Sequence, residues 1–297
     1  MPAKRIDLVQ KYKSRNLPLV LDGAMGSLLQ QKGLPSDKYL WYSKQNLDNP
    51  DIVRNIHLEY IDAGADIITT NTFRTNPAAL KLSGYNIDLK SFVKSGVDIA
   101  DSARGNEEII IAGSNTSAED CYQIERTVSH TELDYNHKKH IDYLWEAGSD
   151  IIWNETHSHW DEIEIVCKYC SDNLIPFIIS FYFTDDLKIL SGEPLNEAVE
   201  NVRQYNPSAI GFNCIKPATF MKYIENFELP DYWGFYFNCG AGNITDEIID
   251  TGIDSISYKN ISRELLKINP VFLGSCCGST PSHTKAIKDL LNEVYRN

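Results

Sequence analysis

The chain has 297 residues, of which 42% are hydrophobic, and its 28 Lys and Arg against 41 Asp and Glu give a formal net charge of −13. A chain of this length and composition can bury a sizeable core, which excludes a disordered, collagen-like or disulfide-stapled mini-protein. The acidic balance, without a basic cluster, argues against a nucleic-acid or membrane partner. The polar N-terminal stretch does not resemble a signal peptide and the apolar runs are only strand-sized, so we expect a cytoplasmic protein.

Short runs of β-branched and aromatic residues alternate with helix-like stretches along the chain. Eight strands are predicted to begin near Leu17, Ala65, Ile109, Asp150, Pro176, Ala209, Tyr232 and Val271. The intervening helices are predicted over 51–63, 89–104, 136–147, 159–171, 195–204, 218–226, 262–268 and 281–295. Prolines near helix starts and glycines after helix ends support several of these bounds.

Eight such strand–helix units in about 300 residues are typical of an α/β fold, the (β/α)8 TIM barrel. Each strand is a nearly continuous apolar run, as expected when both faces of a parallel sheet are covered. No compositional boundary divides the chain, so we expect a single domain over residues 1–297. An open, doubly wound sheet is the alternative, because periodicity does not prove closure. The long polar segment 115–135 is predicted to be an insertion over one mouth of the barrel.

Cysteines stand at the predicted C-terminal ends of strands six and eight, the end of a barrel that carries the chemistry. Cys214 ends strand six, and the adjacent Cys276 and Cys277 end strand eight. Three thiolates that converge would suit zinc, and a fourth tetrahedral position would stay open for substrate. The alternative is that each is a buried thiol used for packing.

The seven cysteines are an odd number scattered through a long chain, which argues against a disulfide framework and for reduced thiols. Cys167 and Cys170 have metal-site spacing but lie within a predicted helix without a second pair, so we expect them to pack. A competing metal site, of the hydrolase type, would use Glu155, His157 and His159 at the end of strand four. No third histidine or aspartate with matching spacing accompanies them, which favours a loop leading into a helix.

Five segments carry a resemblance to a known family. DGAMGSLL, GADIITTNTF, NET, GFNC and GSCCGSTPSH, in this order and between Leu21 and about Ile287, resemble the homocysteine S-methyltransferase family of zinc-dependent (β/α)8 enzymes. The resemblance implies that Cys214, Cys276 and Cys277 bind Zn²⁺, and that the thiol of homocysteine takes the open position and attacks a methyl donor to give methionine. The zinc-activated substrate thiolate is then the reacting group, and no further catalytic side chain is expected.

The resemblance also implies a set of substrate-binding residues. Asp22 and Glu155 match the acidic residues that bind the substrate ammonium, and Gly23 and Ala24 are expected to let the backbone approach the substrate. Asn71, in the TNTF segment, is expected at the rim or in the pocket. The partners are therefore small molecules, homocysteine and a methyl donor. The chain stops soon after its last predicted helix, which resembles the short family members that use S-methylmethionine or S-adenosylmethionine.

Three departures from the family pattern bear on this interpretation. Ser275 replaces a glycine before the paired cysteines, and strand seven ends in Asn238-Cys239, where the family more often has a proline before the asparagine and a small residue without a thiol after it. Cys239 is predicted to be a bystander rather than an alternative ligand. Segment 115–135 lacks the expected glycine-rich stretch. A catalytically silent thiol- or metal-binding barrel therefore stays open as an alternative.

Overall fold

All eight predicted strands form, and each pairs in parallel with its neighbours. The computed structural model describes residues 5–243, 246 and 248–295. The strands are β1 (Leu19–Val20), β2 (Ile67–Thr69), β3 (Ile110–Asn115), β4 (Ile151–His157), β5 (Phe177–Phe181), β6 (Ala209–Asn213), β7 (Trp233–Phe237) and β8 (Phe272–Ser275). Their order in the sheet is β1-β8-β7-β6-β5-β4-β3-β2.

The two ends of this order meet, so the sheet is a barrel. A parallel bridge joins Leu21, just after β1, to Ile67 of β2. The Asp22 amide donates to the Ile67 carbonyl at 3.0 Å, and the Asp66 amide donates to the Val20 carbonyl at 2.7 Å. These bonds confirm the predicted TIM barrel, and the open-sheet alternative is wrong.

Both faces of the strands are buried, which explains their continuous apolar sequence. Along β4, Ile151 and Trp153 belong to a cluster inside the barrel, whereas Ile152 packs in the layer between strands and helices. The same alternation runs through the other strands, since neighbouring side chains of a strand point to opposite faces. The rigid double layer fixes the positions of the loops that follow each strand.

Twelve helices accompany the strands in the described part of the chain. They are α1 (Leu8–Arg15), α2 (Met25–Gln31), α3 (Gln45–Asp48), α4 (Pro50–Asp62), α5 (Pro77–Ser83), α6 (Leu89–Arg104), α7 (His130–Ala147), α8 (Trp160–Asp172), α9 (Leu195–Val202), α10 (Pro217–Asn226), α11 (Ser255–Leu266) and α12 (Pro281–Tyr295). None of these helices is both long and apolar enough to cross a membrane.

Two predicted bounds were wrong because helix-capping residues were missed. Helix α7 begins at His130, six residues before its predicted start, because Ser129 and Glu132 form a capping box. Helix α11 begins at Ser255 rather than at 262, behind the N-cap Asp254. The predicted insertion 115–135 is accordingly shorter: Asn115 ends β3, and the irregular loop runs over residues 116–129.

Four helices were not predicted at all: α1, α2, α3 and α5. Helix α1 lies in the N-terminal stretch that reads as polar, yet its Leu8 is buried in the inner cluster, with Val9 and Tyr12 packed against it. Asp7 caps this helix by accepting from the Gln10 amide at 2.8 Å. The other three have seven residues or fewer, a length at which the apolar period is hard to recognise.

Candidate functional site

A cavity of about 590 Å³ opens at the C-terminal ends of the strands, the functional face of this fold. Its wall includes Asp22, Asn71, Glu155, Cys214, Cys276 and Cys277. The volume lies within the range of small-molecule sites, about 300 to 1,000 Å³. Side chains predicted from five separate strand ends therefore meet at one cavity.

The three predicted metal ligands converge on one point. The sulfur atoms of Cys214, Cys276 and Cys277 all lie within 4.8 Å of one another, and those of Cys214 and Cys277 are 3.5 Å apart. Thiolates about 2.3 Å from a tetrahedral metal are separated by about 3.8 Å, so this spacing fits a bound zinc. The donor set is also the soft one that selects zinc.

Unusual backbone conformations at both strand ends bring the sulfurs together. Cys214 has a φ of 54°, a left-handed conformation that is uncommon for a residue with a side chain. Gly278, directly after Cys277, has a φ of 78° and donates its amide to Ser27 Oγ at 3.0 Å. A Cβ atom on Gly278 would lie 2.5 Å from Gly240 Cα, so only glycine fits this turn.

The sulfur cluster favours one thiolate even without a metal. Hydrogen bonds with Cys276 and Cys277 hold the pKa of Cys214 well below its usual range, whereas hydrogen bonds with Cys214 and Cys277 raise the pKa of Cys276. A further hydrogen bond comes from the Tyr122 hydroxyl, 3.0 Å from Cys214 Sγ. A divalent cation binds the deprotonated form of cysteine. Three close thiols, one of which loses its proton readily, are therefore a suitable site for such a cation.

Asp22 is buried at the end of β1 and is held by one residue of β2. Its carboxylate accepts from the Thr69 amide at 2.8 Å and from Thr69 Oγ1 at 3.1 Å. Burial raises the pKa of Asp22 well above its ordinary value; the bonds from Thr69 lower it, and the nearby Glu155 raises it further. A cationic group that entered the cavity would relieve this unfavourable burial of negative charge.

Glu155 is the second buried carboxyl group on the cavity wall, and it accepts a hydrogen bond from Ser114 Oγ on β3. Burial raises its pKa to about 7, an effect that the Ser114 bond opposes and the charge of Cys214 increases. Two carboxyl groups with raised pKa values at one cavity are a pattern typical of a binding site for a cation.

Gly23, Ala24 and Asn71 lie on the cavity wall, but each also makes close contacts within the protein. A Cβ atom on Gly23 would lie 2.7 Å from Ser279 Oγ, and the Ala24 amide donates to that same oxygen at 3.0 Å. The Asn71 side-chain nitrogen donates to the Tyr42 carbonyl and to Asn46 Oδ1, at 3.0 and 2.9 Å. These contacts stabilise the wall, and the predicted substrate contacts stay predictions.

Cys239 lies outside the sulfur cluster that could hold a metal. It is fully buried, its sulfur lies 3.6 Å from the Phe237 carbonyl oxygen, and burial raises the pKa of its thiol. Cys167 and Cys170 are buried in α8 within the apolar layer, as expected for packing residues. Cys121 lies on the cavity wall, in the 116–129 loop. The sequence did not predict this position.

The structure does not bring together the alternative hydrolase site. Glu155 lies on the cavity wall, whereas His157 is fully buried with its Nδ1 3.8 Å from Glu162, in the interior behind the wall. His159 donates from Nε2 to the Ile124 carbonyl at 3.0 Å. The two imidazoles thus contact the protein interior and the 116–129 loop, and the hydrolase interpretation has no support.

Several residues of the site, above all Tyr122, are not recognisable from the sequence. This tyrosine lies in an irregular polar loop, where no periodicity or motif distinguishes it. Ser114 and Thr69, which bond the two carboxyl groups, are also absent from the predicted set. Both residues lie at or next to the end of a strand. This position could have identified them as neighbours of the carboxyl groups, because neighbouring parallel strands end at the same edge.

The fold and the cavity define a class of protein: a (β/α)8 barrel with a three-cysteine candidate metal centre beside two buried carboxyl groups. A sequence model described as homocysteine S-methyltransferase matches residues 19–291. The chain belongs to the homocysteine S-methyltransferase family, which confirms the resemblance seen in its sequence.

Individual relatives agree with this assignment. Homocysteine S-methyltransferase 2 of Zea mays is 26% identical over 93% of this chain and 90% of its own length. The homocysteine S-methyltransferase of Escherichia coli strain K12 is 24% identical over 91% and 94%. The crystal structure of the homocysteine methyltransferase MmuM from Escherichia coli, described as the metallated form, superposes with a TM-score of 0.80 at 23% identity, covering 95% of this chain and 99% of that one. The last comparison establishes a shared fold.

Proposed function

We propose that this protein transfers a methyl group from a sulfonium donor, S-methylmethionine or S-adenosylmethionine, to the thiol of homocysteine, giving methionine. The observation that carries the proposal is the cavity itself: three cysteine sulfurs within 4.8 Å of one another lie in the same wall as two buried carboxyl groups. Homocysteine has a thiol at one end and an ammonium at the other, and this cavity has a matching partner for each.

In this proposal Asp22 and Glu155 bind the ammonium of homocysteine. Both are buried, and a cation between them would favour the charged form of each and gain charge-assisted hydrogen bonds. Thr69 and Ser114 would hold these two carboxyl groups in place through the hydrogen bonds they donate to them. The amino-acid end of the substrate is thereby fixed, and the thiol end is directed toward the sulfur cluster.

Cys214, Cys276 and Cys277 would hold Zn²⁺ in the proposed enzyme. When bound, the zinc lowers the pKa of the acceptor thiol so that it is a nucleophilic thiolate at neutral pH. The cysteines themselves leave a coordination position free, because they supply three of four tetrahedral ligands. The remaining task of the protein is to align the acceptor sulfur with the donor methyl group, and in this proposal the cavity walls would do so.

The proposal also includes the extent of the domain and the cellular location of the protein. We take residues 1–297 as one homocysteine-binding barrel domain, supported by the eight strands and by the family match over residues 19–291. A cytoplasmic location is supported by the cysteines, all seven of which are free thiols rather than disulfides.

The test is an assay of methionine formation from homocysteine with S-methylmethionine, S-adenosylmethionine and betaine in parallel, alongside the zinc content of the protein. We expect turnover with at least one of the two sulfonium donors and about one zinc per chain. Cys276→Ala should lose both zinc and turnover. Cys167→Ala is the matched control, since it removes a buried cysteine from α8 and should keep both.

Two outcomes would contradict the proposal. A zinc-loaded protein that forms no methionine with any donor would be a catalytically silent metal-binding barrel. A zinc-free protein that is fully active would retain the reaction but refute the role of the three cysteines.

A further inference from the structure

The 116–129 loop carries one side chain to the sulfur cluster. The Tyr122 hydroxyl lies 3.0 Å from Cys214 Sγ, within range of a hydrogen bond to sulfur. The ring of Tyr122 also packs edge-on against that of Tyr182, with centroids 5.0 Å apart. The hydroxyl group and the ring of Tyr122 therefore each have a packing or hydrogen-bonding partner.

Two hydrogen bonds fix the loop backbone on either side of Tyr122. Ser158 Oγ donates to the Cys121 carbonyl at 3.0 Å, and His159 Nε2 donates to the Ile124 carbonyl at 3.0 Å. Ser158 and His159 directly precede α8. The backbone around Tyr122 is thus tied to the start of a barrel helix, although the loop itself has no regular structure.

An ion-pair network centred on the buried Glu162 anchors the loop further along. Arg126 pairs with Asp161 at 2.9 Å and with Glu162, both in the first turn of α8. Glu162 is itself buried, lies 3.0 Å from His137 Nε2, and accepts from the Ala118 amide at 3.2 Å. The loop is therefore connected at four points, two on either side of Tyr122, to a rigid part of the barrel.

We propose that Tyr122 is a positioning residue of the metal centre, which donates a hydrogen bond to the Cys214 thiolate and couples the 116–129 loop to the bound metal. The inference rests on the proposed metal binding by the three cysteines. A divalent cation and three thiolates together carry a net charge of −1, and a hydrogen bond to one sulfur offsets part of it. Partners of metal ligands typically contribute about 10- to 100-fold to metal affinity or activity.

The test uses the full-length protein loaded with Co²⁺, whose thiolate charge-transfer absorption reports the electron density on the sulfur ligands. Tyr122→Phe removes only the hydroxyl, so Cys214 becomes the more electron-rich ligand and the band should move to longer wavelength. Zinc release to a chelator should become about 10-fold faster in the same variant. Tyr182→Phe is the matched control, because it alters the neighbouring ring without touching Cys214, and should leave both unchanged.

A second measurement on the wild-type protein does not depend on how the variant folds. Hydrogen exchange of the backbone amides in the 116–129 loop should slow when zinc is added, since the metal fixes Cys214 and, through it, Tyr122. Amides of the distant helix α1 serve as the internal control and should not change.

The outcomes separate this inference from the function on which it rests. A wild-type protein that binds neither Co²⁺ nor Zn²⁺ would overturn the proposed metal site itself. A protein that binds both metals, with the same spectrum and the same release rate in Tyr122→Phe as in wild type, would refute the role of Tyr122 alone. Loop amides that exchange equally fast with and without zinc would refute the coupling of the loop to the metal.

Discussion

Glu155→Gln should make the protein less sensitive to rising pH, because it removes a carboxyl group that is buried at a cost. The pKa of Glu155 is about 7 in the folded protein, above the ordinary 4.5, chiefly because of burial. The folded state therefore holds the proton more tightly than the unfolded state does. The stability associated with this proton is fully present below pH 4.5 and is lost as the pH rises through 7.

The magnitude follows from the difference between the two pKa values. At about 1.4 kcal/mol per pKa unit, the interval from 4.5 to about 7 corresponds to about 3 kcal/mol of unfolding free energy. Glutamine has the same size, can accept the Ser114 hydrogen bond and does not ionise. The free energy of unfolding of Glu155→Gln relative to wild type should therefore increase by up to about 3 kcal/mol between pH 5 and pH 8.

The assay is urea denaturation of metal-free wild type and Glu155→Gln at several pH values between 5 and 8. The substrate provides a second arm: loss of a charge-assisted hydrogen bond should weaken homocysteine binding about 10- to 100-fold at pH 8, although the variant is the more stable protein there. Stability curves of the two proteins that run parallel across this range would refute the raised pKa. Unchanged homocysteine affinity would refute the role of Glu155 in binding the ammonium.

Three further predictions follow from single contacts. Gly278→Ala should lower the unfolding free energy by about 3 kcal/mol in urea denaturation and reduce the zinc content. The reason is that the new Cβ atom would lie 2.5 Å from the Gly240 backbone, at a residue whose φ is positive. Wild-type values of both quantities would contradict the packing at this turn. Cys239→Ala should keep a full complement of zinc by metal analysis, since this sulfur lies outside the cluster; a loss of zinc would make it a ligand. Ser129→Ala should cost about 1 kcal/mol of stability by removing the α7 capping box, and an unchanged urea midpoint would contradict that helix start.

The sequence predicted the features of the fold that depend on repeated patterns. Eight apolar runs gave the eight strands because both faces of each strand are buried, so the signal is strong and continuous. The barrel topology brings the paired Cys276 and Cys277 to the same edge as the distant Cys214. Polar residues at strand ends therefore identified the wall of the cavity, because parallel strands of a barrel end on the same side.

The features that the sequence did not predict depend on contacts between distant residues. Tyr122 reaches Cys214 only because the loop around it is tied to the start of α8, and no local pattern encodes that tie. Helix α1 packs on the barrel through Leu8, which is buried in the inner cluster. The segment is otherwise polar, so its sequence does not indicate this contact. The raised pKa of Glu155 likewise comes from burial, a property of the folded chain.

The metal centre can be observed directly in the X-ray absorption spectrum of the zinc-loaded protein, recorded before and after addition of homocysteine. Three cysteine ligands predict three sulfur atoms at about 2.3 Å from the zinc, rising to four when the homocysteine thiol binds. A first coordination shell dominated by nitrogen or oxygen would show that Cys214, Cys276 and Cys277 do not hold the metal. A sulfur count that does not change with homocysteine would show that this metal does not receive the acceptor thiol.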